Sequence, residues 1–265
     1  MRERSVGLGV MGLNSFLQAK NVAIESAMAK VWNKKIFQHV RQKVDEASIA
    51  IGKEKGPCPD AKEVGSNDRF TNKMAIAPTA SISIIAGNSS PGIEPYAANT
   101  FTQKTLTGSF RVRNKNLLKL LEEKGKNSED VWSSITISEG SVQHLDFLDD
   151  HEKMVFKTAP EIDQKWIIDL AADRQEYICQ AQSLNLFMPG DVSKKELHEA
   201  HFRAWQKGVK SLYYCRSTSI QRADKVSNKV EENLLTDSIA KDKSDREAAN
   251  AMVEPPKYDE CLACQ

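Results

Sequence analysis

The sequence predicts an α/β fold assembled from parallel βα units, a piece of an α/β barrel or of a doubly wound sheet. Two observations point there. Short apolar, strand-like runs alternate with helical periodicity from "KMAIAP" through to "SLYYC". Hydrophobic residues also make up 40% of the 265, enough to fill a sizeable core. A third observation bounds the fold: after Arg216 the composition turns charged. The chain therefore divides into a folded portion over 1–216 and a tail over 217–265.

The elements follow in order. Residues 13–50 carry apolar side chains at helical spacing, first Leu13, Phe16 and Leu17, then Val22, Ile24, Ala27 and Val31. Gly56, Pro57 and Pro59 end that pattern, because neither residue type continues a helix well. "KMAIAP" is a short apolar run closed by Pro78 and suits a buried strand. "SSITIS", around Ile135 and Ile137, and "SLNLFM", 183–188, read as further strands. Between them Ile162, Trp166 and Leu170 step by four and predict the inner face of a helix. A later helix carries Leu197, His201, Ala204 and Trp205, stops near Gly208, and leads into "SLYYC".

Residues 221–260 hold 17 charged side chains and a single aromatic, Tyr258. A segment of that kind buries too little apolar surface to offset its ordering entropy, so it reads as a tether. The 46 residues between Tyr214 and Cys261 would span about 35–40 Å r.m.s. as a flexible chain.

Charge excludes some functions. Lys and Arg number 37 against 36 Asp and Glu, for a net charge of +1. That balance gives no electrostatic case for nucleic acid or an anionic membrane as partner. No run reaches the roughly 18 apolar residues of a membrane helix, and "MRERSVGLGV" has no apolar signal-peptide region. Five cysteines, an odd count, suggest a reducing cytoplasm in which any disulfide is catalytic.

Each motif has a plain reading beside a functional one. Gly7, Gly9 and Gly12 match G-x-G-x-x-G, but no strand precedes them, and Glu25 falls in a helical pattern. A tight turn with close backbone approach explains them better than a dinucleotide site. Thr79, Ala80 and Ser81 follow Pro78 with small side chains, hydroxyls and open N–H groups, which suits a phosphate and equally an ordinary helix cap. Tyr213 and Tyr214, adjacent in an apparent strand, predict one core and one rim residue. Cys215 beside them reads as a buried small residue, and Cys58 and Cys179 as structural thiols. His198 and His201, one turn apart with no third ligand in register, predict one exposed and one packed imidazole rather than a metal site. Cys261 and Cys264 form C-x-x-C within the last five residues. No second pair exists for zinc, and a thioredoxin-type site would open a helix. A mobile, exchangeable dithiol fits.

"RERSVGLGVMGL", "APTASISIIAGNSSPGIEPYAANTFTQKTLTGSF", "QSLNLFM" and "HFRAWQKGVKSLYY", taken in order, resemble the large, catalytic subunit of class I ribonucleotide reductase. The resemblance covers nearly all of 3–216. It implies the C-terminal part of a ten-stranded α/β barrel followed by a flexible tail. It also implies that Thr79, Ala80, Ser81 and Ile82 line the diphosphate site of a ribonucleoside diphosphate. Tyr213 and Tyr214 would pass a radical from a metal-containing small subunit. Cys261 and Cys264 would re-reduce an active-site disulfide and be reduced in turn by thioredoxin or glutaredoxin. No cofactor would be bound by this chain itself. The family's N-x-C-x-E finger loop is not in the sequence, nor are the cysteines that reduce substrate. Activity would then require an N-terminal part of the large subunit as partner; the chain would be a split-gene product, the reading that Met1 before "RER" favours, or a shortened piece of the subunit. The competing expectations are a non-catalytic remnant or binding module of the same fold and, further off, a Rossmann-type dehydrogenase.

Overall fold

A computed structural model describes residues 2–105 and 108–217, and the side chains of all these except 103–105, 108 and 109. Four extended segments lie side by side, each parallel to the next. Segment 6–9 joins segment 72–77 through a parallel bridge between Leu8 and Met74, with Leu8 N donating to Lys73 O at 2.8 Å and Ala75 N to Leu8 O at 3.0 Å. Segment 72–77 joins segment 180–188 through Ile76 and Gln182, where Ile76 N donates to Ala181 O and Ser183 N to Ile76 O. Two short strands complete the ribbon: β3, Leu186–Met188, pairs in parallel with β4, Cys215–Ser217, in the register Leu186 to Cys215. The ribbon order equals the chain order. Among the described residues it does not close into a barrel.

Gly9 shows why the first contact needs glycine. A Cβ there would lie 2.5 Å from the Ala75 carbonyl oxygen, inside van der Waals contact. The glycine-rich stretch is thus a site of close backbone approach, as its spacing suggests.

Helices connect the segments. After α1, Leu13–Ala19, comes the 29-residue α2, Ala27–Lys55, whose first turn is capped by Ser26 Oγ accepting from Ala29 N at 3.1 Å. Its inner stripe is Ala29, Asn33 and Phe37, while Ala27 and Val31 are exposed. The sequence phasing through Ala27 and Val31 is therefore off by two residues, because Ser26 stops the helix short of Val22 and Ile24. A five-residue helix, α3 (Pro59–Glu63), precedes the second segment, and α4, Ala80–Ile85, follows it.

The third and fourth segments are preceded by α8, Gln164–Gln175, and α9, Lys194–Gln206. The buried face of α8 is Ile167, Ile168, Leu170 and Ala171; Ile162 lies before the helix and Trp166 is only partly buried. Asp169 ties three helices together, taking two bonds from Arg203, at 2.9 and 2.8 Å, and ion pairs with Lys207 and Lys30. Burial by itself would raise its carboxyl, but the Arg203 and Lys207 contacts outweigh that and hold it below the usual range. These helices and segments share one core, which includes Leu17, Phe37, Met74, Ile168, Leu184 and Leu186.

A second core lies between the second and third segments in sequence. It opens with an antiparallel hairpin that the sequence reading missed, β1 (Thr100–Thr105) against β2 (Gly108–Arg113). It continues with α5 (Lys115–Glu123), α6 (Glu129–Ile137) and α7 (Asp150–Val155) around Leu117, Leu121, Trp132 and Ile135. The "SSITIS" strand is not there: Ile135 and Ile137 end α6. Ser128 caps that helix, Glu129 and Asp130 favour its first turn, and Trp132 and Ile135 are buried three residues apart while Ile137 is exposed. Helical phase, not β-branching, decides the element.

Candidate active site

Two of the expected sites fall on the ribbon. The first is the turn after Pro78. Thr79 has φ 52° and ψ 28°, a left-handed conformation strained for a β-branched residue, and stands at the N-terminus of α4 without capping it by its side chain. The Thr79 hydroxyl instead accepts from Gly92 N at 2.8 Å, which leaves its own proton available to a further acceptor. The first intrahelical bond runs from Ser83 N to Thr79 O. The N–H groups of Ala80, Ser81 and Ile82 therefore have no acceptor within the helix. All three residues are exposed, with Ile82 at 58%. One turn thus offers three N–H donors and a polarised hydroxyl. It is not the ordinary cap that the sequence equally allowed.

The second site is the tyrosine pair. Tyr213 N donates to Leu184 O and Leu186 N donates to Tyr214 O, both at 2.9 Å, which pins both backbones to the third segment. Their ring centroids are 4.1 Å apart with planes tilted by 53°. The expectation of one core and one rim residue fails: Tyr213 is 49% and Tyr214 45% exposed. The pair precedes β4 at the end of the ribbon. Arg216 adds a cation 5.6 Å from the Tyr214 ring centre.

Loop 90–95 runs between the two sites. Gly92 N meets Thr79, and two residues on, Glu94 accepts hydrogen bonds from the side chain and backbone of Asn185. Asn185 Oδ1 accepts from Tyr214 N at 3.1 Å. Gly92 has φ 46°, and a Cβ there would stand 3.0 Å from the Ala77 carbonyl, so the loop could not lie so close with a side chain. Neither Glu94 nor Asn185 stood out in the sequence. Burial of polar side chains carries no sequence signal of its own.

The other cysteines and histidines divide. Cys58 is fully buried, as a structural thiol should be. Cys179 is partly buried, and its sulfur accepts from Lys73 N at 3.1 Å and Met74 N at 3.2 Å. Cys215 is exposed rather than buried, because β4 has no buried position. His198 and His201 are both exposed; α9 turns Ala200 and Ala204 to the core instead, and His198 stacks on Phe202. Among the described residues no group of three or more His, Cys, Asp or Glu side chains is placed to hold a metal. Nor is any helix there long and apolar enough to cross a membrane. Cys261 and Cys264 lie outside the described residues.

Comparison with known proteins bears on the fold and the family. The family model for the ribonucleotide reductase barrel domain matches residues 1–68 and 61–215. The ribonucleoside-diphosphate reductase large subunit of Invertebrate iridescent virus 6 is 48% identical over 231 residues, 86% of this chain and 24% of that protein. The large subunit of Danio rerio is 31% identical over 298 residues, 99% of this chain and 37% of that one. Among solved structures, the Actinobacillus ureae class Id ribonucleotide reductase alpha subunit superposes with a TM-score of 0.75 at 41% identity, over 82% of this chain and 40% of that one. The chain thus spans well under half the length of these relatives. Its four parallel segments are a part of their α/β barrel, and the chain belongs to the ribonucleotide reductase barrel-domain family.

Proposed function

We propose that the chain is the C-terminal portion of a ribonucleoside-diphosphate reductase large subunit and works in deoxyribonucleotide synthesis. One observation carries the reading: a turn with open N–H donors and a contacting tyrosine pair are held on one parallel ribbon, with loop 90–95 reaching both. The Thr79 hydroxyl and the N–H groups of Ala80, Ser81 and Ile82 bind the substrate diphosphate, since oriented donors favour negative charge. Tyr213 and Tyr214 relay an electron, each phenol losing its proton as it is oxidised. The radical originates in a metal-containing small subunit. An N-terminal part of the large subunit supplies the thiyl cysteine and the substrate-reducing cysteine pair that this sequence does not contain.

Replacing the ribose 2′-hydroxyl by hydrogen releases water and takes two electrons, leaving the reducing pair as a disulfide. The terminal dithiol, Cys261 and Cys264, attacks that disulfide and becomes oxidised, and thioredoxin or glutaredoxin restores it. Folded domain and tail meet at about residue 217 in this scheme.

The test is reconstitution. The chain mixed with small subunit, nucleotide and dithiol forms no deoxynucleotide, and adding the N-terminal part starts multiple turnover. Sustained product without the N-terminal part, or none with every component present, refutes the reading.

A further inference from the structure

Behind Asn185, which holds the Tyr214 backbone, stands a buried acid. Glu94 is 6% and Asn185 3% exposed. Glu94 Oε1 has no hydrogen-bond partner among the described residues, although the carboxyl is out of reach of solvent. A buried, half-satisfied carboxyl is costly to keep and invites a functional account. Burial pushes its pKa upward; the Asn185 bonds and the charges of Arg216 and Arg174 oppose that without cancelling it.

The contacts of Asn185 show what the acid does. Its amide nitrogens, side chain and backbone, point to Glu94, while its Oδ1 takes the Tyr214 N–H. Asn185 thus holds the acid with its nitrogens and the tyrosine with its side-chain oxygen. Arg216, whose guanidinium carbon lies 5.6 Å from the Tyr214 ring centre, contributes only its charge at Glu94. One buried group thus reaches the backbone of Tyr214 through Asn185.

We propose that Glu94 is a positioning residue for the tyrosine pair, acting through Asn185 to fix the Tyr214 backbone. The inference rests on the reading of Tyr213 and Tyr214 as a radical relay. Transfer between two rings is sensitive to their spacing and tilt, whereas diphosphate binding at Thr79 is not. Loss of Glu94 should therefore act on turnover and spare substrate affinity.

The experiment uses the reconstituted enzyme, with the N-terminal part and small subunit present. Glu94→Gln keeps the shape and removes the charge. Its expected effect is a fall in kcat of at least about tenfold, the scale of a small misplacement of reacting groups, with the KM for nucleotide within about twofold. Asn185→Ala should lower kcat alike, and the double variant should be no worse than the worse single one, because the two act as a unit. Tyr213→Phe and Tyr214→Phe run alongside. Inactive Phe variants with normal kcat in Glu94→Gln overturn the positioning role and leave the relay standing. Independent, additive losses at Glu94 and Asn185 also overturn it, as does a rise in KM with kcat unchanged. Active Phe variants overturn the relay and the inference with it. If Glu94→Gln fails to assemble, Glu94→Asp, one methylene shorter, decides on the same terms.

Discussion

The parallel ribbon and the lobe of hairpin and helices beside it are built to different standards. In the lobe, α5, α6 and α7 each start on a side-chain cap, Asn114, Ser128 and Asp149, and enclose a core whose centre, Leu117, Leu121, Trp132 and Ile135, is fully buried. Its joint to the rest is a satisfied amide network: Asn114 Nδ2 donates to Asn99 Oδ1 and Gln18 Oε1, and Asn99 Nδ2 to two backbone carbonyls. The ribbon instead tolerates a left-handed threonine, an uncapped helix start, an orphaned carboxylate oxygen and two half-exposed tyrosines. The lobe has exceptions of its own, Thr100 Oγ1 buried without a partner among the described residues and Glu139 at φ 55°, but on the ribbon they gather at the residues to which chemistry is assigned.

The largest expected effect comes from the ribbon. In the reconstituted enzyme, Tyr213→Phe and Tyr214→Phe each reduce activity to background while assembly and nucleotide binding persist. Near-normal turnover would make the pair ordinary surface residues and dissolve the contrast. The next effect concerns the tail. With Cys261 and Cys264 both changed to Ser, the enzyme completes one turnover and then stalls with thioredoxin or glutaredoxin. A small dithiol that diffuses into the site restores multiple turnover. Product per enzyme with each reductant is the quantity to compare, and equal values exclude a shuttle.

The lobe should behave the opposite way. Trp132 is fully buried there, so Trp132→Ala lowers stability by about 3–5 kcal/mol. Turnover per folded molecule stays unchanged. Denaturant melts and active-site titration separate the two quantities. Gly9→Ala tests the ribbon's geometry rather than its chemistry: the added methyl meets the Ala75 carbonyl and lowers stability by about 1–3 kcal/mol.

The smallest effect is a pH dependence. Lys73, only 6% exposed, reaches Asp45 at 2.6 Å and Asp68 at 2.7 Å. Burial alone would raise both carboxyls and lower the ammonium. Hydrogen bonds and opposite charges, from Lys73 for both and from Arg41 for Asp45, outweigh it. The carboxyls therefore sit below their usual values and the ammonium above. Depressed carboxyls contribute stability that is full above their unfolded pKa of about 3.9 and lost as pH falls through the folded one. A raised ammonium contributes stability that is full below its unfolded pKa of about 10.4 and lost as pH rises through the folded one. Lys73→Met should thus lower the thermal midpoint most at neutral pH, with the gap to the parent narrowing at both extremes. A gap constant with pH would show that the loss is one of packing.

Much of the ribbon was legible in the sequence. Pro78, Gly208 and the apolar runs mark where segments and helices stop, and the ordered motifs fix the family. The Thr79 turn could be placed but not judged, since only coordinates show its hydroxyl turned to Gly92 rather than to the helix. The lobe was misread because "SSITIS" is β-branched, while its burial follows a helical step. Glu94 was invisible because an acid before a proline looks like a surface turn, and its partner Asn185 lies 91 positions away.

The ribbon grows in the same direction as the chain. Segment 6–9 meets 72–77, which meets 180–188, which meets 213–217, and among the described residues no later strand is inserted between earlier ones. Each new strand can therefore dock on an edge already present as it leaves the ribosome, without parting an older pair. Folding of this portion can be vectorial, with the tyrosine pair, on the last of these four segments, docking after the other three.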